Sequence, residues 1–482
     1  MEPSPTHSSL DPKAIESALA LFRKAALRVP AYKDFLKKNG VKPEAIVTKA
    51  DFERLPLTDK ENYIAQYTLE DLSWDGTLNR AQYISTSSGS TGEPFFWPWS
   101  DEQIATSGFL LKQMYEKIFN TKNGKTLYVN SFGLGTWIAG FEHYNATRLV
   151  ASQGNVITIS TPGIDKQEAI REIKKLYPLF SRVILAGYAP FIKDVIETGK
   201  EQGIEWGKID LYLLTVGEAI SEMWRERVLR MIGKEGSVRN LINLYGMADA
   251  GGAVAYETPV SILFKQSFLK LPHTEGLPDP NSVTGIFQFF PVLHYFEGIG
   301  DILALTVNSG LPLVRYSTRD NGGVLNLNTS LQAVDGTFSA DIKKHRVLLG
   351  DWQLPIVYLQ GRKDLSMSFY ALKIYFENVR SALENTSISD KLSGIFVIGV
   401  DHTTELDPEF KIAIELSQDV EPSIELVKIL TQETVRGLSK VNSEYSKLHS
   451  EIGDRANPQI TLIPFGKIET VPGKKHKWVK RG

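Results

Sequence analysis

Five short apolar segments, "TLYVN" (126–130), "VITIS" (156–160), "RVILAG" (182–187), "IDLYLLTVGE" (209–218) and "LINLYGM" (241–247), alternate with stretches whose apolar residues recur at helical spacing. That alternation leaves few folds open. A parallel pair of strands needs a crossover of a dozen or more residues, usually a helix, so strand and helix in turn predict a mainly parallel sheet covered by helices. In such sheets ligands gather at the loops that leave the carboxyl ends of the strands.

The texture differs on either side of this stretch. Asp11 and Pro12 form a cap and first-turn signal, and Ile15, Leu19, Phe22 and Ala26 follow at helical spacing, predicting a helix that ends near "RVPAY". Residues 1–10 read as a disordered tail. Between 283 and 320, "GIFQFFPV", "GDILALTV" and "LPLVRYSTRD" read as strands joined by turns, which predicts an antiparallel sheet or small barrel. After "YLQGRKD" the order is helix ("FENVRSALE"), strand ("GIFVIGVD"), strand ("FKIAIEL"), one long helix (421–449) and strand ("QITLIPF"), a small α+β unit. The expected fold class is α/β. A large N-terminal domain of mainly parallel sheet with flanking helices and a small antiparallel barrel-like subdomain is followed by a small α+β C-terminal domain.

Composition removes several chemistries. The 482 residues include no cysteine, which excludes disulfides, thiolate nucleophiles and Cys-ligated zinc or iron–sulfur centres. The eight histidines form no HExxH or closely spaced pair. A formal net charge of -2 gives no electrostatic case for nucleic acid or an anionic membrane as partner. No apolar run reaches membrane-spanning length, and "MEPSPTHSSLDPK" lacks the basic and apolar regions of a signal peptide, so the expected location is cytoplasmic.

One loop stands out against this background. "SSGSTGEP" (87–94) packs hydroxyls and accessible backbone amides into eight residues, a composition suited to a phosphate chain or to a flexible surface loop. It is not a Walker loop, because Gly89 and Gly92 are too close together and Glu93 stands where a lysine would be expected. Three further loops come after it in order: "LYGMADAGG" (244–252), "VRYSTRD" (314–320) and "GRKDLSM" (361–367).

Taken as an ordered set, these four loops resemble the signature motifs of the AMP-forming adenylate-forming enzymes, the superfamily of acyl- and aryl-CoA ligases. "VPAYKDFLKKNGV", "LPLTDKENY", "TVGEAISEMWRERV" and "VPGKKHKWVKR" are similar to stretches of its phenylacetate-CoA ligase branch. The resemblance implies activation of a small carboxylic acid by ATP and Mg2+ to an acyl-adenylate, then acyl transfer to CoA. It implies an N-terminal adenylate-forming domain, 11–363, and a mobile lid domain, 364–482, hinged at Asp364.

The resemblance also implies residue roles. Ser87, Ser88, Gly89, Ser90, Thr91 and Gly92 would hold the β- and γ-phosphates, with Thr91 and Lys474 as catalytic groups. Gly217, Glu218 and Ala219 would form a backbone shelf beside the adenine, on which Tyr245, followed by Gly246, would stack. Asp320 would accept hydrogen bonds from both ribose hydroxyls, Arg362 would sit near phosphate or ribose, and Asp249 would be the Mg2+ ligand. Trp137 and Phe141, four residues apart on one helix face, read either as acyl-pocket lining, which suits an aryl or arylalkyl acid, or as core.

Several alternatives stay open at this level. Glu93 replaces a lysine common in relatives, Ala248 a hydroxyl residue, and Ala371 a glycine of the pantetheine tunnel. The acceptor is therefore CoA, an amine or a carrier protein, and a nucleotide-binding homologue impaired in catalysis is the reading from another class. Lys475 and Lys477 compete with Lys474 for its role. The expected assembly is a monomer or homodimer.

Overall fold

The computed structural model describes residues 12–86, 95–134, 138–271, 277–360, 366–369, 372–384, 386–402, 408–468 and 479–480. The chain divides into two compact units. One comprises Met1–Ile220, Glu226–Pro272 and Gly285–Leu359, the other Ser221–Arg225, His273–Thr284 and Gln360–Gly482.

A two-stranded antiparallel ribbon, β1 (Tyr83–Thr86) with β2 (Phe96–Trp99), precedes the main sheet of the first unit. That sheet has eleven strands: β3 (Thr126–Ser131), β4 (Ile157–Ser160), β5 (Arg182–Gly187), β6 (Leu211–Val216), β7 (Leu241–Met247), β8 (Gly252–Tyr256), β9 (Val283–Gln288), β10 (His294–Ile299), β11 (Ile302–Val307), β12 (Leu313–Leu325) and β13 (Ile356–Gln360). Their spatial order is β10-β11-β12-β13-β9-β8-β7-β6-β5-β3-β4. The five segments that alternate with helices form its parallel part, β4-β3-β5-β6-β7. β3 and β5 are buried along their whole length, as a sheet covered on both faces requires.

The antiparallel strands expected between 283 and 320 are present and join the parallel ones in this single sheet. β12 is longer than its sequence suggests. It runs on through "RDNGG" to a total of 13 residues.

Local chemistry sets the helix limits. Ser100 and Gln103 form a capping box at Asp101–Lys117, and Asp165 caps Lys166–Leu176 by accepting from the Glu168 amide. Gly108 lets the first of these approach Ile138–Ser152, since a Cβ there would meet Leu149 Cδ2 at 2.7 Å. The helix Pro12–Arg28 buries Ala14, Ala18, Leu19, Phe22, Ala25 and Ala26 on one face. That face belongs to the same apolar core as Tyr245, Phe287, Phe296 and Leu305 of the sheet.

The second unit carries a hairpin, Ser366–Phe369 with Leu372–Tyr375, and a four-stranded sheet. In that sheet Leu392–His402 and Pro408–Leu416 are antiparallel, and Gln459–Ile463 and Val479–Lys480 add in parallel at the two sides. The single helix expected over 421–449 is two helices, Ile424–Val441 and Ser443–Ile452. Asn442 breaks it because its extended backbone and side chain cap the second helix through the Tyr445 amide. Among the described residues no helix is long and apolar enough to cross a membrane.

Candidate functional site

One row of paired residues crosses the parallel strands at their carboxyl ends: Ser131 beside Gly187, Gly187 beside Thr215, and Thr215 beside Asn243. The residues just beyond this row in sequence therefore emerge at one edge of the sheet. Phe132, Tyr188, Gly217 and Tyr245 do so, and the rings of Phe132 and Tyr188 meet edge to face at 5.7 Å.

Gly217–Ala219, the segment expected to form a shelf, leaves β6 with Gly217 at φ 95, a conformation that favours glycine, and a Cβ there would stand 3.0 Å from Tyr188. Asn243 holds the turn in place. Its amide donates to the Glu218 carbonyl at 3.0 Å and its carbonyl accepts from the Thr215 hydroxyl at 2.9 Å.

Tyr245 and Gly246 lie near the end of β7. The Tyr245 ring is buried and stacks on Phe287 (5.8 Å) and Phe296 (6.2 Å), and its hydroxyl donates to Asp320 Oδ2 at 2.7 Å. Two of the loops singled out in the sequence thus meet in one hydrogen bond. Asp320 is a half-buried strand residue of β12.

Asp249 lies in the turn after β7. Its Oδ2 accepts from the Tyr316 hydroxyl at 2.5 Å and faces Lys60 Nζ at 3.2 Å. Lys60 arrives because Thr58 pairs with Tyr316 and exchanges backbone hydrogen bonds with Arg315 and Ser317. Burial, with the neighbouring Asp249 charge second, pushes the Tyr316 phenol well above its ordinary value, so it stays a donor at any working pH. Sequence reasoning passed over Lys60 and Tyr316; "LPLTDKENY" marked the first only as part of a similar stretch.

Mg2+ can be tested against this donor set. Among the described residues no three acidic, histidine or cysteine side chains converge, so Asp249 would be a single protein ligand. A hard cation that keeps water and takes phosphate oxygens can be held through one carboxylate, and Asp249 fits that requirement if the cation replaces Lys60.

Phe141 lies on the helix Ile138–Ser152, with its ring centroid 3.9 Å from that of Tyr83. The next two residues are buried and polar, and sequence reasoning missed both. Burial pushes the Glu142 carboxyl up to about 7 and the His143 imidazole down to about 3. His143 Nδ1 is paired with the Tyr128 hydroxyl at 2.8 Å. The signal that could have found them is "GFEHY", two ionisable residues inside an otherwise apolar helix start.

Ser87, Ser88, Gly89, Ser90, Thr91, Gly92, Glu93, Trp137, Arg362, Asp364, Ala371, Lys474, Lys475 and Lys477 lie outside the described residues.

No protein-family model and no curated protein matches the sequence. Solved structures do match in fold. A 2-hydroxyisobutyryl-CoA ligase in the postadenylation state, in complex with R3-HIB-AMP, is 12% identical with a TM-score of 0.69, over 97% of this chain and 89% of the ligase. The acyl acid amido synthetase GH3.15, in complex with 2,4-DB, is 14% identical with a TM-score of 0.56, over 98% and 90%. An anthranilate CoA ligase in complex with anthranoyl-AMP is 11% identical with a TM-score of 0.50, over 82% and 65%. The fold is that of the adenylate-forming ligases.

Proposed function

We propose that this chain is an AMP-forming carboxylate ligase, phenylacetate-CoA ligase-like, which activates a small carboxylic acid with ATP and passes the acyl group to CoA. The observation that carries the reading is the Tyr245–Asp320 hydrogen bond at the carboxyl ends of the parallel strands. It joins an aromatic face and a carboxylate beside the Gly217–Ala219 backbone, a set suited to adenine and to a ribose diol.

In the first half-reaction a carboxylate oxygen attacks the α-phosphorus, the bond to the β-phosphate oxygen breaks, and pyrophosphate leaves. In the second, the thiol attacks the acyl carbonyl and AMP departs. No protein nucleophile is needed, so the chain contributes positioning and charge stabilisation. Asp249 would hold Mg2+, which supplies charge neutralisation on the phosphates. Ser87–Gly92 would donate hydroxyls and amides to the β- and γ-phosphates, Arg362 would contact phosphate or ribose, and Lys474 would stabilise charge on the α-phosphate. Asp364 would be the hinge.

An amine acceptor is the second reading, favoured by the likeness in fold to an acyl acid amido synthetase. A pyrophosphate-release screen over a carboxylate panel, with and without CoA or amines, separates the two. Release from no acid would leave a nucleotide-binding homologue impaired in catalysis.

The diol assignment has its own test. Asp320→Ala should raise the ATP KM about 10–150-fold, because hydrogen bonds to a charged group contribute about 1.5–3 kcal/mol. Tyr245→Phe, which keeps the ring and loses the hydroxyl, should have a smaller effect. An unchanged KM with a lowered melting temperature in Asp320→Ala would make the residue a structural tie of β12.

A further inference from the structure

We propose that Glu142 and Tyr83 form a polar contact in the acyl pocket that selects a carboxylic acid bearing a second hydrogen-bond donor, a hydroxyl or amino group, besides its carboxylate. The proposal rests on the ligase reading above and names its substrate class.

Three elements converge on these two side chains. Glu142 follows Phe141 in the helix that was expected to line the pocket. Its Oε1 accepts from the Ser107 hydroxyl at 2.7 Å and from the Ala253 amide at 3.0 Å. Ala253 and Gly252 begin β8, directly after the turn that carries Asp249. Gly252 is required there: its φ is 101, and a Cβ would come 2.2 Å from Glu142 Oε1. The third element is β1, where Tyr83 packs between Trp99 (5.3 Å) and Phe141 (3.9 Å).

Two polar groups in this aromatic setting lack a partner among the described residues: one oxygen of Glu142 and the Tyr83 hydroxyl. Glu142 is 4% exposed, and among the described residues its Oε2 receives no hydrogen bond and no cation pairs with it. The Tyr83 hydroxyl is buried without a hydrogen-bond partner, and the Glu142 charge adds to the burial that raises its phenol. Leaving a buried hydroxyl such as that of Tyr83 unpaired forfeits its hydration without compensation. A purely structural pin between the helix and β8 would need Oε1 alone, and a glutamine would serve it equally well. The second carboxylate oxygen and the phenol gain a purpose when a ligand donor lies between them. By contrast His143, the next buried polar residue, already has its Tyr128 partner.

The test compares hydroxyl- or amino-substituted aromatic acids with their methyl isosteres. Pyrophosphate release gives kcat/KM, and calorimetry without ATP gives acid binding. The wild-type ratio should favour the donor-bearing acid about 100-fold or more, since a site built to hydrogen-bond a donor rejects the analogue lacking it. Glu142→Gln keeps the acceptor for Ser107 and Ala253 but turns the other oxygen into an NH2, so that ratio should collapse about tenfold or further. Tyr83→Phe should lower it less. A wild-type ratio near one, or a ratio unmoved in both folded variants, overturns the proposal. Donor-selective, Glu142-dependent binding with no pyrophosphate release from any acid would uphold it while overturning the ligase reading. Release without selectivity would do the reverse.

Discussion

Lys474→Ala is expected to lower pyrophosphate release from ATP and acid about 10²–10³-fold, the usual cost of removing one preorganised charge contact from a developing oxyanion. ATP affinity should change far less, because in the proposed reading the lysine would act where charge develops and not on the nucleoside. The same variant should still convert a synthetic acyl-adenylate with the true acceptor, since acyl transfer from the adenylate would not need the lysine that promotes its formation. Single-turnover measurement of each half-reaction reads both outcomes. The control is Lys60→Ala, because Lys60 stands 3.2 Å from Asp249 and is the cation already at the motif. Normal release in Lys474→Ala with an inactive Lys60→Ala would move the charge-stabilising role to the N-terminal segment. Loss in Lys475→Ala or Lys477→Ala alone would move it along the tail.

The parallel strands were legible because burial on both faces forces continuous apolar runs, and "RVILAG" or "LYLLTV" admits no other environment. Tyr245 and Asp320 were legible as members of an ordered set, though nothing local in "LYGMADAGG" or "VRYSTRD" says that they touch. β12 was not legible as one strand. Arg315 at φ 46 and Arg319 at φ 64 break the alternation on which strand reading depends, and the register with β11 shifts accordingly. Lys60 was invisible for another reason. Its place at Asp249 is set by backbone pairing of Thr58 with Tyr316, a long-range contact that no periodicity encodes. Glu142 was hidden by its neighbours, since a helix start rich in apolar residues reads as wall or core before any acid in it is weighed.

Arg315 also carries the second large effect. It shares the "VRYSTRD" motif with Asp320 but has a structural role, in which its Nε donates to both Glu297 oxygens at 3.1 Å and a terminal nitrogen donates to the Leu55 carbonyl. Both side chains are less than a tenth exposed. Arg315→Met should destabilise the chain by about 3–5 kcal/mol, because it leaves a buried carboxylate without its cation. In a chain of this size the melting temperature should fall by about 3–5 °C. Burial already raises the Glu297 carboxyl above its ordinary value with the arginine in place, and losing the arginine raises it further. A group whose folded affinity for a proton exceeds its unfolded one costs stability as pH rises through the unfolded value of about 4.5 toward the folded one. The deficit of Arg315→Met should therefore be larger at pH 8 than at pH 5. Replacing both partners, Arg315→Met with Glu297→Leu, should recover much of the loss, since an apolar pair of similar volume carries no unpaired charge. Arg315 also accepts the Thr58 amide through its carbonyl and holds Leu55, so it anchors the segment that delivers Lys60 to Asp249. Equal melting temperatures of wild type and Arg315→Met at pH 8 would show that the pair contributes nothing and that this anchoring is done by the backbone alone.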